Sequence, residues 1–234
     1  MAIPPVHETM TNFHMSSVIN KSILTDKAVI FLILSNLATI LIAYIEQWNF
    51  MALLWIYWFQ SIVIGVINYI EISTLKNFTV GQLSINGVKA KADEKTKKEA
   101  AKFFCMHYGI FHAVYLFFLI IFTVLSFTEQ TDGFIISLST SDFIGISIGC
   151  FIFLGNHIYS FISNKDRLID KPNIGTMMLL PYARIVPMHI ILILALLLNY
   201  AEALILFLLL KTFADVIMQI VETRKLRKPG LATT

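Results

Sequence analysis

Charge is what this chain has least of. Lys, Arg, Asp and Glu make up 14% of its 234 residues against 57% hydrophobic residues, and the mean hydropathy is +0.74. A soluble domain carries roughly 25% charged residues on its surface and interior together, so a water-soluble globular fold is excluded. Cysteine is nearly missing. The two present, Cys105 and Cys150, both lie in apolar runs, which argues against a disulfide framework. Residues 1–25 lack a short apolar core followed by a small-residue cleavage site, so no cleavable signal peptide is expected. The net charge of +3 is small and its basic residues fall in loops, so no nucleic-acid partner is expected. No nucleophile elbow, phosphate loop, H-E-x-x-H or paired-carboxylate motif occurs, which removes the common hydrolase and nucleotide-driven readings. No motif decides between an enzyme and a non-enzyme. No internal repeat supports an inverted-repeat transporter.

What is there is six apolar segments, near 28–45, 51–72, 103–127, 141–163, 176–198 and 201–223. Each approaches the roughly 20 residues that cross a bilayer as a helix. They predict an all-α, polytopic transmembrane helix bundle of about six spans, occupying 28–223 as one domain. A polar segment, 1–27, precedes it and a basic tail, 224–234, follows it. The first apolar run is expected to act as an uncleaved insertion signal.

The loops predict orientation. Lys21 and Lys27 precede span 1, seven lysines from Lys76 to Lys102 lie between spans 2 and 3, Lys165, Arg167 and Lys171 lie between spans 4 and 5, and Arg224, Lys225, Arg227 and Lys228 end the chain. The alternate links hold only Glu46, then Glu129 and Asp132, then Glu202. Positive charge stays on the cytoplasmic side, which predicts a multi-pass protein of the cell membrane with both termini cytoplasmic. The Lys-rich loop, 73–102, reads as a solvated helix or hairpin. Its interleaved Asp93, Glu94 and Glu99 weaken a reading as a patch for anionic lipid heads. Trp48, Trp55, Tyr57 and Trp58 read as interfacial anchors at the outer end of spans 1 and 2.

Ionisable groups inside a membrane are costly and face the bundle interior or a cavity, so they are the informative residues. Span 3 holds His107 and His112, span 4 Asn156 and His157, span 5 Tyr182, Arg184 and His189, and span 6 Lys211 and Asp215. Counted at 1.5 Å per residue from the cytoplasmic ends, these fall between ~6 and ~20 Å, most of them in the inner half of the bilayer. Lys211, Asp215 and Gln219 share a helix face that Glu222 continues. Tyr57, Ser61, Gly65 and Asn68 form a similar stripe, as do Asn156, Ser160 and Ser163. His107 and His112 are five apart and cannot both reach one small site; the same holds for Arg184 and His189. Lys211 and Asp215 read as a self-neutralising i, i+4 pair, with Arg184 as a rival partner for the carboxylate. Pro181 and Pro187 flank Arg184 and predict a kink or a broken helix.

His107, His112, His157, His189 and Asp215 supply the ligand types of a zinc, iron or copper site. The expected site is therefore a metal-binding polar cluster, with Gln60, Asn156, Tyr182, Arg184 and Lys211 in support and Arg184 and Lys211 balancing charge. Such a metal would activate water or oxygen in a membrane enzyme. The alternatives are a small proton, ion or solute transporter, and a structural subunit of a larger membrane complex. The expected partners are the lipid bilayer and a second copy or a membrane-complex subunit.

The strings WFQSIVIGVINY, HYGIFH, PYARIVPMH and KTFAD, with a His-bearing fourth span, resemble a family of uncharacterised multi-pass membrane proteins of bacteria and archaea, a domain of unknown function. The resemblance covers roughly spans 2 to 6. It implies that His107, His112, His157, Tyr182, Arg184, His189, Lys211 and Asp215 belong together. It supplies no substrate. The family pattern places an acidic residue where this chain has Gln60, a departure that would remove a ligand or proton acceptor.

Overall fold

The computed structural model describes residues 27–85, 87–127, 138–164, 171–194, 198 and 200–221. The expectations for Lys21, Glu129, Asp132, Lys165, Arg167, Glu222 and the tail lie outside the described residues, as do those for the side chains of Asn156, Ser160 and Ser163. The helices are α1 (Lys27–Ile45), α2 (Phe50–Thr74), α3 (Glu94–Ser126), α4 (Thr140–Asn164), α5 (Ile174–Leu179), α6 (Tyr182–Leu194) and α7 (Tyr200–Val221). A two-residue hairpin, β1 (Ser84–Ile85) against β2 (Val88–Lys89), is the sheet among the described residues.

The chain is an all-α bundle. Five helical stretches are long and apolar enough to cross a membrane: α2, α3, α4, α5 with α6 taken together, and α7. Within α1 the apolar stretch Asn36–Ile45 is shorter than a span. Large apolar side chains point outward along these helices, as at Phe151 (74% exposed), Phe117 (62%) and Leu41 (60%). In water they would form a patch far beyond what a soluble monomer tolerates. Against hydrocarbon they cost nothing, and they make this a multi-pass membrane protein.

The core forms around α2, which packs on α3 and α4 and also touches α5, α6 and α7. Farther out, α6 packs on α7, and α7 on α1. The interior is aromatic and aliphatic: Phe50 and Tyr57 meet the edge of Phe207, and Phe104, Leu119, Met188 and Leu204 are almost fully buried. α2 and α3 run antiparallel, because Trp55, Trp58 and Ser61 meet Thr123, His112 and Tyr108 in descending order.

Helix starts follow from their caps. The Asn49 side-chain oxygen accepts from the N–H groups of Met51 and Ala52, opening α2, and Asn173 accepts from Thr176, opening α5. Ser139 and Asp142 exchange side-chain and backbone bonds at the start of α4, a capping box. The Asn49 amide also donates to Asp142 at 3.2 Å, so the N-termini of α2 and α4 are fastened together.

The opposite end is tied as well. Thr79 donates its backbone N–H to Pro172 and accepts from Ile174, both at 2.9 Å, joining the Lys-rich loop to the entry of α5. Lys97 is buried and donates to the carbonyl of Leu75 at 2.9 Å, satisfying a free carbonyl at the C-terminus of α2 where a cation is favoured. The segment 73–102 is thus part hairpin and part helix: α3 begins at Glu94, and its first turns carry the lysines. Span 5 is broken rather than continuous. Pro181 has no N–H to offer Met177, and the amides of Ala183 and Arg184 bond three residues back, to Leu180 and Pro181.

Two outcomes follow. Asp142→Ala and Asn49→Ala are each expected to cost about 1 kcal/mol, and the pair less than the sum, read by thermal unfolding in mild detergent. The Thr96 N–H bonded to the Asp93 carboxylate at the start of α3 holds that carboxyl below its usual range. A depressed folded-state value stabilises the fold above the unfolded carboxyl pKa. The advantage of the natural chain over Asp93→Ala is therefore expected at neutral pH, and it disappears as pH falls through the lowered value.

Candidate functional site

Two polar groupings meet at the centre of the bundle. The first is charged. On α6, Arg184 is buried and donates from Nη2 to Asp215 Oδ1 on α7 at 3.1 Å. Lys211, one turn before Asp215, donates to Oδ2 at 2.7 Å and reaches Asn36 Oδ1 on α1 at 3.3 Å. The guanidinium also lies 5.5 Å from the ring centre of Tyr57 on α2, a cation–π contact. One carboxylate thus serves two cations, and the triad carries one formal positive charge in excess.

The second grouping is neutral. The Tyr108 hydroxyl donates to the backbone carbonyl of Ser61 at 2.9 Å and lies 2.7 Å from its side-chain oxygen. Its ring rests on Gly65: a Cβ there would sit 2.4 Å from the Tyr108 ring. His112 turns its Nδ1 back to the Tyr108 carbonyl at 2.9 Å and is buried. Trp58 donates to the His112 carbonyl at 3.0 Å. His107 Nδ1 is 2.8 Å from the Tyr182 hydroxyl, and Tyr182 packs edge-on against Phe104 and Tyr108.

Between the groupings lies a narrow gap of about 170 Å³, no part of it wide enough for a water molecule. Tyr57, Ser61, His112, Tyr115, Arg184 and Met188 line it. Three buried polar atoms of its walls have no hydrogen-bond partner among the described residues: Arg184 Nε, Arg184 Nη1 and the Tyr57 hydroxyl. Native interiors leave few such atoms; the Asn68 amide nitrogen is a fourth among the described residues and lies away from the gap.

The sequence-predicted residues are only partly brought together. Arg184, Lys211 and Asp215 meet. The stripe of Tyr57, Ser61, Gly65 and Asn68 is the buried face of α2. His107 and His112 point apart, the first exposed and the second buried. His189 is exposed, with Nδ1 3.4 Å from the Tyr115 hydroxyl. His157 is half-buried and stacks on Phe153 of its own helix at 3.9 Å. Gln60 is half-buried and belongs to neither grouping. Among the described residues no three His, Cys, Asp or Glu side chains gather where they could hold a metal ion. The physical reason is the helix rotation already implied by the five-residue spacings. Of the aromatics read as interfacial anchors, Tyr57 is buried inside the bundle, while Trp58 and Trp55 are half-buried and donate to the His112 carbonyl and to Thr123, each at 3.0 Å. Tyr57 lies ~10 Å from the Phe50 end of α2, so the network reaches into the half of that helix nearer Phe50.

Sequence reasoning missed Asn36 and Tyr115. The signal for Asn36 was a polar amide inside the otherwise apolar FLILSNLATIL. The signal for Tyr115 was its position seven residues after Tyr108, on the same helix face. Gly65→Ala is expected to displace the Tyr108 ring from Ser61 and to cost about 1–3 kcal/mol, read as a lower unfolding temperature in detergent.

No curated protein and no solved structure matches the chain. A family model does, over residues 19–232. That match takes in every described helix and both polar groupings, and the chain belongs to the family of unknown function DUF6498.

Proposed function

We propose that this membrane protein binds a small anion within the bundle, at Arg184, and belongs to the transporter class. The observation that carries the reading is Arg184 itself: buried, with Nε and Nη1 unpartnered among the described residues beside a narrow gap. A buried guanidinium that keeps two donors idle forgoes strong charge-assisted bonds, and an acidic group entering the gap would restore them. Charge argues in the same direction. Arg184 and Lys211 share one carboxylate, and an uncompensated charge in an apolar interior is expensive. A bound anion would neutralise the triad, with the Tyr57 hydroxyl as a further donor.

The gap is too narrow for a water molecule, so entry requires movement. The break between α5 and α6 supports this, because discontinuous helices in transporters sit beside their substrate sites. Arg184 lies three residues after Pro181, in the first turn of the helix that follows the break. The orientation proposed has both termini and the Lys-rich loop in the cytoplasm, following the positive-inside bias.

The test is thermal stability of the purified protein in lipid nanodiscs, titrated with chloride, phosphate, acetate and butyrate. A ligand at 100 times its Kd is expected to add about 2.7 kcal/mol. Arg184→Gln leaves Asp215 paired with Lys211 and should fold, yet lose the response; Arg184→Lys should lose most of it, since an ammonium lacks the planar fork. No response to any anion, or an undiminished one in Arg184→Gln, would sink the reading.

A further inference from the structure

A second cavity lies outside the charged site. Between α2 and α3 runs an open groove of about 380 Å³ with almost wholly apolar walls. Trp58, Gly65 and Tyr69 mark its length on α2, and Cys105, Gly109 and Ala113 on α3. From Trp58 to Tyr69 the groove extends ~16 Å along the helix. That is close to one leaflet of a hydrocarbon core ~30 Å thick. It opens sideways, where Val66 and Ile110 are more than half exposed, so lipid is its surroundings. A helix is ~10 Å wide and cannot enter such a cleft; a single hydrocarbon chain can.

The end of the groove near Tyr69 and Cys105 is the end that carries the lysines. Lys98 and Lys102 precede Cys105, Gly109 and Ala113 at spacings of four, three, four and four, which places all five on one face of α3. Both lysines are exposed, and neither forms an ion pair among the described residues. Their neighbours do: Lys95 pairs with Glu99 and Lys97 with Glu94. The acidic residues interleaved in this run are thereby engaged elsewhere, and the two cations above the groove are left uncompensated.

We infer that the groove holds one acyl chain of an anionic phospholipid, whose phosphate is bound by Lys98 and Lys102. The chain lies along Gly109 and Ala113, with its end near Trp58 and His112. The small residues of α3 make the room, and the lysines choose the charge of the headgroup. The site is independent of anion binding at Arg184: its head lies at the membrane surface, and its walls offer the ligand no cation.

The test uses the full chain with Trp48→Phe and Trp55→Phe, which leaves Trp58 as its one tryptophan, in vesicles doped with bromine on the acyl chains of phosphatidylglycerol or of phosphatidylcholine. Bromine quenches at contact. Brominated phosphatidylglycerol is expected to quench Trp58 at a lower mole fraction than brominated phosphatidylcholine. Each lysine near an anionic surface contributes about fivefold in affinity, so Lys98→Gln with Lys102→Gln should erase the preference. A Cβ at Gly109, which lines the groove, meets no neighbouring atom, so Gly109→Leu has room to fill the groove and should remove specific quenching by either lipid. Equal quenching by the two lipids in the parent chain would overturn the inference. So would unchanged quenching in Gly109→Leu, or a change of oligomeric state in that variant, which would assign the groove to a second copy of the chain. Should the tryptophan variants misfold, lipid retained by the natural chain after detergent extraction, counted by mass spectrometry, must fall in the double lysine variant.

Discussion

An arginine surrounded by hydrocarbon must be held by something, and the centre of this bundle is arranged around that requirement. Arg184 cannot lose its charge, so its neighbours supply a carboxylate, an aromatic face and a wall of hydroxyls. Asp215 comes from α7, Tyr57 from α2, and the second cation on Asp215, Lys211, engages Asn36 of α1. Three helices thus answer to one side chain of a fourth. Removing the carboxylate alone would leave two cations facing each other in a medium that screens little, whereas removing Arg184 leaves an ordinary i, i+4 pair.

Much of this was legible in the sequence, for reasons that differ by residue. The membrane fold follows from hydropathy, because lipid tolerates apolar surface wherever it falls. The Lys211–Asp215 pair follows from spacing, since four residues return a helix to the same face. The break in span 5 follows from Pro181 and its missing donor. What spacing along one helix does not encode is the rotation of each helix about its axis relative to the others. His107, His112, His157 and His189 have the chemistry of ligands, yet their rotations send them toward Tyr182, the bundle interior, Phe153 and Tyr115. The Trp and Tyr residues of α2 show the same limit. Aromatic composition near a span end reads as an interface, and only packing against α3 and α7 turns Trp58 and Tyr57 inward.

The charged centre and the neutral Tyr108 grouping divide the work of joining helices. Tyr108 binds α3 to α2 through Ser61 and depends on Gly65 for its place, so a single missing Cβ sets how closely two spans approach. Arg184 binds α6 to α7. The gap where the groupings face each other is the seam between these halves, and three of the four unpartnered buried donors among the described residues lie there.

α3 runs for 33 residues without a proline, from the Lys-rich surface to the far side of the bundle. At 1.5 Å per residue it is a rod of ~50 Å. Its exposed first turns and Tyr108, whose ring sits on Gly65, therefore belong to one uninterrupted helix. The tip is in turn moored through Lys97 to the end of α2, so α2 holds the rod at two points.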